Sequence, residues 1–290
     1  MFENLKNGWK LASETRKLIF GDKELLLYPI LSALVTVLLA AAIFIPTFFS
    51  GLFNSWTVIF VVILFYVVVG FASTYILMAL LVAFRSYTKG KRISMGEAFS
   101  IVRPYTKLIL EWAIFYTILV MILRAIESRF GGIGRLLIGS IGSLAIATAT
   151  LFAVPIILDK KVGPIAAVEE SVKTIVHHFG NTFGGIVYSD LYGIAFFFLG
   201  VLVGIGFVFA GAVTGSIAVA IIGIVVIAIP LAVFGIIISY VTSNAFKLIL
   251  YDYINGGALP KGFSKEMMES AAKQRKQGGR SGNMPDNSFA

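Results

Sequence analysis

Six long apolar runs, threaded in pairs between four basic segments, constrain this chain more than any other feature. The runs cover residues 25–49, 56–84, 108–127, 132–158, 185–212 and 217–250. A helix crosses ~30 Å of hydrocarbon with roughly 20 apolar residues, so every run is long enough to span a bilayer. A mean hydropathy of +0.91, with 58% hydrophobic and only 13% charged residues, is foreign to a soluble domain. The expected fold class is all-α: a polytopic membrane protein whose six transmembrane helices form three hairpins.

The charges orient those hairpins. Of 24 Lys and Arg, five lie in 1–24, six in 85–107, three in 158–183 and seven in 247–290. Positive charge beside span ends is retained in the cytoplasm, so all four segments and both termini are expected on the cytoplasmic side of the cell membrane. The other three, Arg124, Arg129 and Arg135, flank one tight external turn. Only 50–55, 128–131 and 213–216 remain outside. A net charge of +9 distributed in short loops beside apolar runs points to anionic lipid headgroups rather than to nucleic acid. The chain has no cysteine, hence no disulfide, thiol nucleophile or thiolate metal site. A cleavable signal peptide is not expected, because Glu3 and Glu14 interrupt the N-terminus and the first run is too long.

The connections after the second and fourth runs align without a gap at an offset of 73 residues. Gly90 matches Gly163, Glu97 matches Glu170, and apolar residues coincide at 95 and 168, 99 and 172, and 102 and 175. Both read as amphipathic interfacial helices, near 94–104 and 164–180. The first opens with the capping-box pattern Ser94-x-x-Glu97 and ends at Pro104; the second carries Ile165, Val168, Val172, Ile175 and Phe179 on one face. A third such helix precedes the first span within 1–24, its apolar stripe Phe2, Leu5, Trp9, Ala12 and Ile19. Residues 25–255 form one membrane domain. The segment 256–290 is a basic tail, expected to be largely disordered from about Gln274.

The opening Asn7-Gly8-Trp9-Lys10 through Asp22 to Pro29, with Val154-Pro155 and Ala166-Ala167-Val168-Glu169-Glu170-Ser171, resembles an uncharacterised family of six-span prokaryotic membrane proteins, catalogued as a domain of unknown function. That family is distantly similar to the membrane domain of some glycerophosphodiester phosphodiesterases. The likeness covers residues 1 to about 255, and its motifs imply topology rather than chemistry.

Two constellations are candidate sites. Gly193, Gly200, Gly204, Gly211 and Gly215 are spaced 7, 4, 7 and 4 residues apart, which places them on one helix face where another backbone approaches closely. That stripe serves either packing within one subunit or a homo-oligomer interface. Glu111, Asp190 and Lys247 are the charges within the runs near the cytoplasmic leaflet, where an ionisable group costs about 2.5 to 3.5 kcal/mol and is paired or faces water. They form either a polar vestibule for a cation or proton, or a structural pair of Lys247 with Asp190 or Glu111. His177 and His178 point about 100° apart on a helix and do not converge on one metal. HExxH, GxSxG and Walker A patterns do not occur. The expectation is a non-enzymatic, self-associating protein without cofactor, either a pore or transporter for a small solute or ion, or a membrane-organising scaffold.

Overall fold

The computed structural model describes residues 2–51, 55–178, 184–260, 262–265 and 268, with side chains from 10–51, 56–177, 194–260, 262–265 and 268. Every regular element among them is helical. Helix α1 (Phe2–Gly21) leads through a turn of 3-10 helix at Lys23–Leu26 into α2 (Leu27–Phe49). Then follow α3 (Ser55–Thr88), the short α4 (Met95–Val102), α5 (Thr106–Glu127), α6 (Gly132–Ala149), α7 (Ala153–Lys160) and α8 (Pro164–His178). Helix α9 (Gly184–Thr214) turns back through α10 (Ile217–Gly223) and a π-helical turn at Ile224–Ala228 into α11 (Ile229–Ile254). Six helical stretches are long and apolar enough to cross a membrane, as the six runs require.

The well-packed core lies at the basic ends of the spans. Ile76 and Met78 to Phe84 of α3, Phe152 to Leu158 around α7 and much of Val241 to Tyr251 of α11 are buried together. Leu11 and Ile19 of α1, Ala98 and Val102 of α4, and Ala167 and Ile175 of α8 close over them. At the other end Phe48, Phe49, Trp56, Ile133, Leu144 and Ile217 are exposed, as residues solvated by lipid are. Local signals set the short elements. Ser94 and Glu97 form both halves of the capping box, and Pro104 starts a 3-10 turn that ends α4. The Phe99 ring of α4 stacks 5.9 Å from Tyr75 of α3 and lies tilted 6.2 Å from Tyr28 of α2.

Three structural details differ from the sequence expectations. The run 132–158 is not one helix: it breaks at Thr150–Phe152, because Pro155 gives the Leu151 carbonyl no amide donor and its ring crowds that turn. The packed face of α8 is Ala167, Ser171 and Ile175, while Ile165, Val172 and Val176 face outward; small residues let α8 sit close to α7, leaving the larger aliphatics for lipid. Among the described side chains of α1, Leu11, Ala12, Thr15, Arg16 and Ile19 are buried, because the helix packs on α9 and α11 instead of resting on one lipid face. Side chains Phe2, Leu5 and Trp9, residue Phe179, and the tail from Gln274 lie outside the described residues.

Candidate functional site

Helix α11 carries a polar stripe through an apolar sequence: Tyr240, Ser243, Asn244 and Lys247 recur at three- and four-residue spacing and therefore share a face. Asn244 donates its side-chain amide to the Tyr240 carbonyl at 2.8 Å, so the stripe is braced along its own helix. Lys247 is half-buried, seven residues before the end of α11, or about 10 Å from that end at 1.5 Å per residue.

Two hollows meet at Asn244 and Lys247. The first, about 360 Å³, is bordered by α3, α5, the α6–α7 break and α11, and its polar lining includes Ser73, Thr74, Tyr116 and Thr150. The second, about 790 Å³ and more open, lies between α9 and α11 and is walled by Ile194, Phe197, Phe198 and Ile236 below Ser239, Tyr240 and Ser243. The break in α6–α7 is held from outside its own chain segment, where the Phe152 backbone amide donates to the fully buried Ser171 hydroxyl of α8 at 3.1 Å. Irregular backbone at membrane depth is tolerated only where protein buries it or a cavity replaces its lost partners. Here both conditions hold: Ser171 satisfies the amide, and Leu151 borders the hollow.

The sequence-derived charges separate in three dimensions. Glu111 does not line either hollow; it sits beside Gly163, with Lys107 of its own helix 3.9 Å away. Its neighbour Trp112, turned about 100° around α5, and Tyr116 face the first, smaller hollow instead. Asp190 lies on α9 one turn before Ile194, and its side chain is outside those described. The glycine stripe turns inward. A Cβ at Gly200 would come within 2.9 Å of the Ala228 carbonyl oxygen, and one at Gly211 within 3.0 Å of the Ser216 carbonyl oxygen. Gly204 rests against Ala228 with room for a methyl, Gly215 forms the turn between α9 and α10 at φ +64°, and the surroundings of Gly193 lie outside the described residues. The described stripe is thus occupied by α10 and α11 of the same chain.

Sequence reasoning missed an ionic tie at the basic end. Arg85 at the end of α3 grips two carboxylates, with Nη2 3.1 Å from Asp159 Oδ2 of α7, and Nη2 and Nε 2.6 and 3.1 Å from the two oxygens of Asp252 of α11. The paired fork geometry suits guanidinium and carboxylate, and it locks the ends of three spans. A signal was available: the second, fourth and sixth runs all end in one charge at matching depth, positive once and negative twice. A cavity of about 360 Å³ adjoins this tie, bordered by Thr88, Lys89 and Asn255. Beyond the spans, a 2.7 Å hydrogen bond from Lys173 holds the Glu169 carboxyl below its ordinary range. Among the described residues no three His, Asp or Glu side chains converge as metal ligands.

Six apolar helices around a core at their basic ends make this a multi-pass α-helical membrane protein. Residues 53–261, most of the chain, match the Family of unknown function (DUF6159), and the protein belongs to that family. No curated protein and no solved structure matches the chain. The match contains the Val154-Pro155 and Ala166 to Ser171 motifs but begins after the opening motif, and nothing found supports the likeness to phosphodiesterase membrane domains.

Proposed function

We propose that this protein is a non-enzymatic membrane transporter that carries a small solute through the hollow at Asn244 and Lys247, with its basic face in the cytoplasm. The observation that carries the reading is the interrupted α6–α7 helix opposite the polar stripe of α11. Membrane transporters build substrate sites from discontinuous helices, because a broken turn offers polar backbone to a substrate where a continuous helix offers none. A π-turn immediately before Pro230 gives the α10–α11 rod a second place to bend. Self-association is part of the proposal, through faces other than the α9 stripe, as is attraction of the basic connections to anionic headgroups.

The test uses the absence of native cysteine. Asn244→Cys and Thr150→Cys should react with a small water-soluble thiol reagent in proteoliposomes, and Lys247→Met should change ion or proton flux at least tenfold relative to wild type. Unreactive cysteines that label only after denaturation, together with no flux in wild type, would sink the transporter reading. A scaffold is the second reading, favoured by the concentration of packing and ion pairs at one membrane face, where Lys160 also binds Glu170 at 2.7 Å. It predicts a dry hollow and no flux.

A further inference from the structure

The smaller hollow and the cavity beside the Arg85 tie lie on the same three helices, one behind the other. On α3 the lining passes from Leu81 of the hollow to Arg85 of the cavity, on α7 from Pro155 to Asp159, and on α11 from Lys247 to Asp252. These steps are four, four and five residues, so the two spaces are about 6 to 8 Å apart at 1.5 Å per residue. The same helices fill that interval with Phe84, Leu158 and Leu248, all buried. Arg85, bound to one carboxylate on α7 and one on α11, clamps this plug at its basic side.

The element built to move is α7. Its eight residues stand between the Thr150–Phe152 break and Lys161, which is left-handed at φ +52°, so irregular backbone bounds the helix at both ends. Two bonds make α8 travel with it: the Phe152 amide to the Ser171 hydroxyl at 3.1 Å, and Lys160 to Glu170 at 2.7 Å. The Arg85–Asp159 ion pair is how α3 holds this unit. Hinges are loop or helix-end residues that absorb a change in backbone angles while the helices between them stay intact. We propose that the hollow and the cavity are two chambers of one pathway and that the Arg85 clamp is its gate toward the basic face. When Arg85 releases Asp159, the α7–α8 unit swings on the break and joins the chambers. This rests on reading the hollow as the solute site and assigns the device that closes it.

The test labels Ser73→Cys, on the wall of the hollow, with a small impermeant thiol reagent applied to intact cells or to inverted membrane vesicles. Lys91→Cys, exposed on the connection after α3, identifies which preparation presents the basic face. From that face Ser73→Cys alone should react slowly. Adding Arg85→Gln or Asp159→Ala should quicken its labelling at least tenfold, with the rate from the opposite face unchanged. One variant removes a positive charge and the other a negative one, so a gain in both is not attraction of the reagent. Asp159→Ala leaves Arg85 paired with Asp252 and carries the test should Arg85→Gln fail to fold. Unchanged labelling from the basic face in the folded variants overturns the gate, as does fast labelling from that face without either substitution. Quickening from both faces also overturns it, since that marks a loosened fold. Ion or proton flux in proteoliposomes keeps the two readings apart. Quickened labelling with no flux in wild type or in either variant leaves a gated hollow and removes the transporter, whereas flux in wild type with unchanged labelling removes only the gate.

Discussion

A methyl group added at Gly200 would lie 2.8 Å from the Ala232 Cβ and 2.9 Å from the Ala228 carbonyl oxygen, the second of which is backbone and cannot swing aside. At Gly204, one turn away, the nearest atom is the Ala228 Cβ at 3.5 Å, an ordinary contact. Gly200→Ala should therefore destabilise the protein by about 1 to 3 kcal/mol through overpacking. Gly204→Ala should be neutral or stabilising by up to about 1 kcal/mol through helix propensity. Thermal denaturation in detergent compares them, and equal midpoints would mean that α9 and α11 do not approach this closely. The repeat spacing makes the stripe legible in the sequence, but its tight points depend on where the partner's carbonyls fall. The same limit hid Gly139, whose bare Cα leaves space for the Glu127 carboxylate, itself bound by Arg124 at 2.7 Å. The Arg124–Glu127 pairing was readable from three-residue helical spacing; the glycine beneath it was not.

Elements show the same division between local and distant causes. Capping signals place the start of α4 at Ser94, and apolar length alone marks the spans, because both depend on neighbours in sequence. The interruption of α6–α7 was only half legible: Pro155 threatens the helix, but the group that stabilises the opened turn, Ser171, belongs to α8. The site was correspondingly obscured, for an unbroken fourth span offers no polar backbone, whereas the broken one borders the hollow shared with Asn244. Ser171→Ala leaves the buried Phe152 amide without its acceptor, at a cost of about 1 to 3 kcal/mol. Hydrogen exchange at Phe152 should then quicken while α2 remains protected. Unchanged exchange there would show that the tie does not hold the break.

At the scale of the whole molecule, the basic face organises both stability and threading. Six spans return the chain to the side on which it began, and the Arg85 tie with Asp159 and Asp252 joins the second, fourth and sixth spans at that same level. The depth of these three charges was readable from the run ends; their convergence was not, since it depends on how the hairpins pack around the core. The charge distribution adds a direction that helix packing alone does not specify, because the same bundle inverted in the bilayer would keep every internal contact. In the proposed orientation, retention of Lys and Arg in the cytoplasm breaks that symmetry. Single cysteines at Asn54, Gly131 and Thr214, at or beside the three short turns, should then react with an impermeant thiol reagent added to intact cells. A cysteine at Gly163, where the structure leaves an added Cβ 3.8 Å from Glu111, should react only after permeabilisation. Labelling of Gly163→Cys in sealed cells, with protection of the other three, would invert the protein in the membrane and move the Lys247 hollow to the outer leaflet.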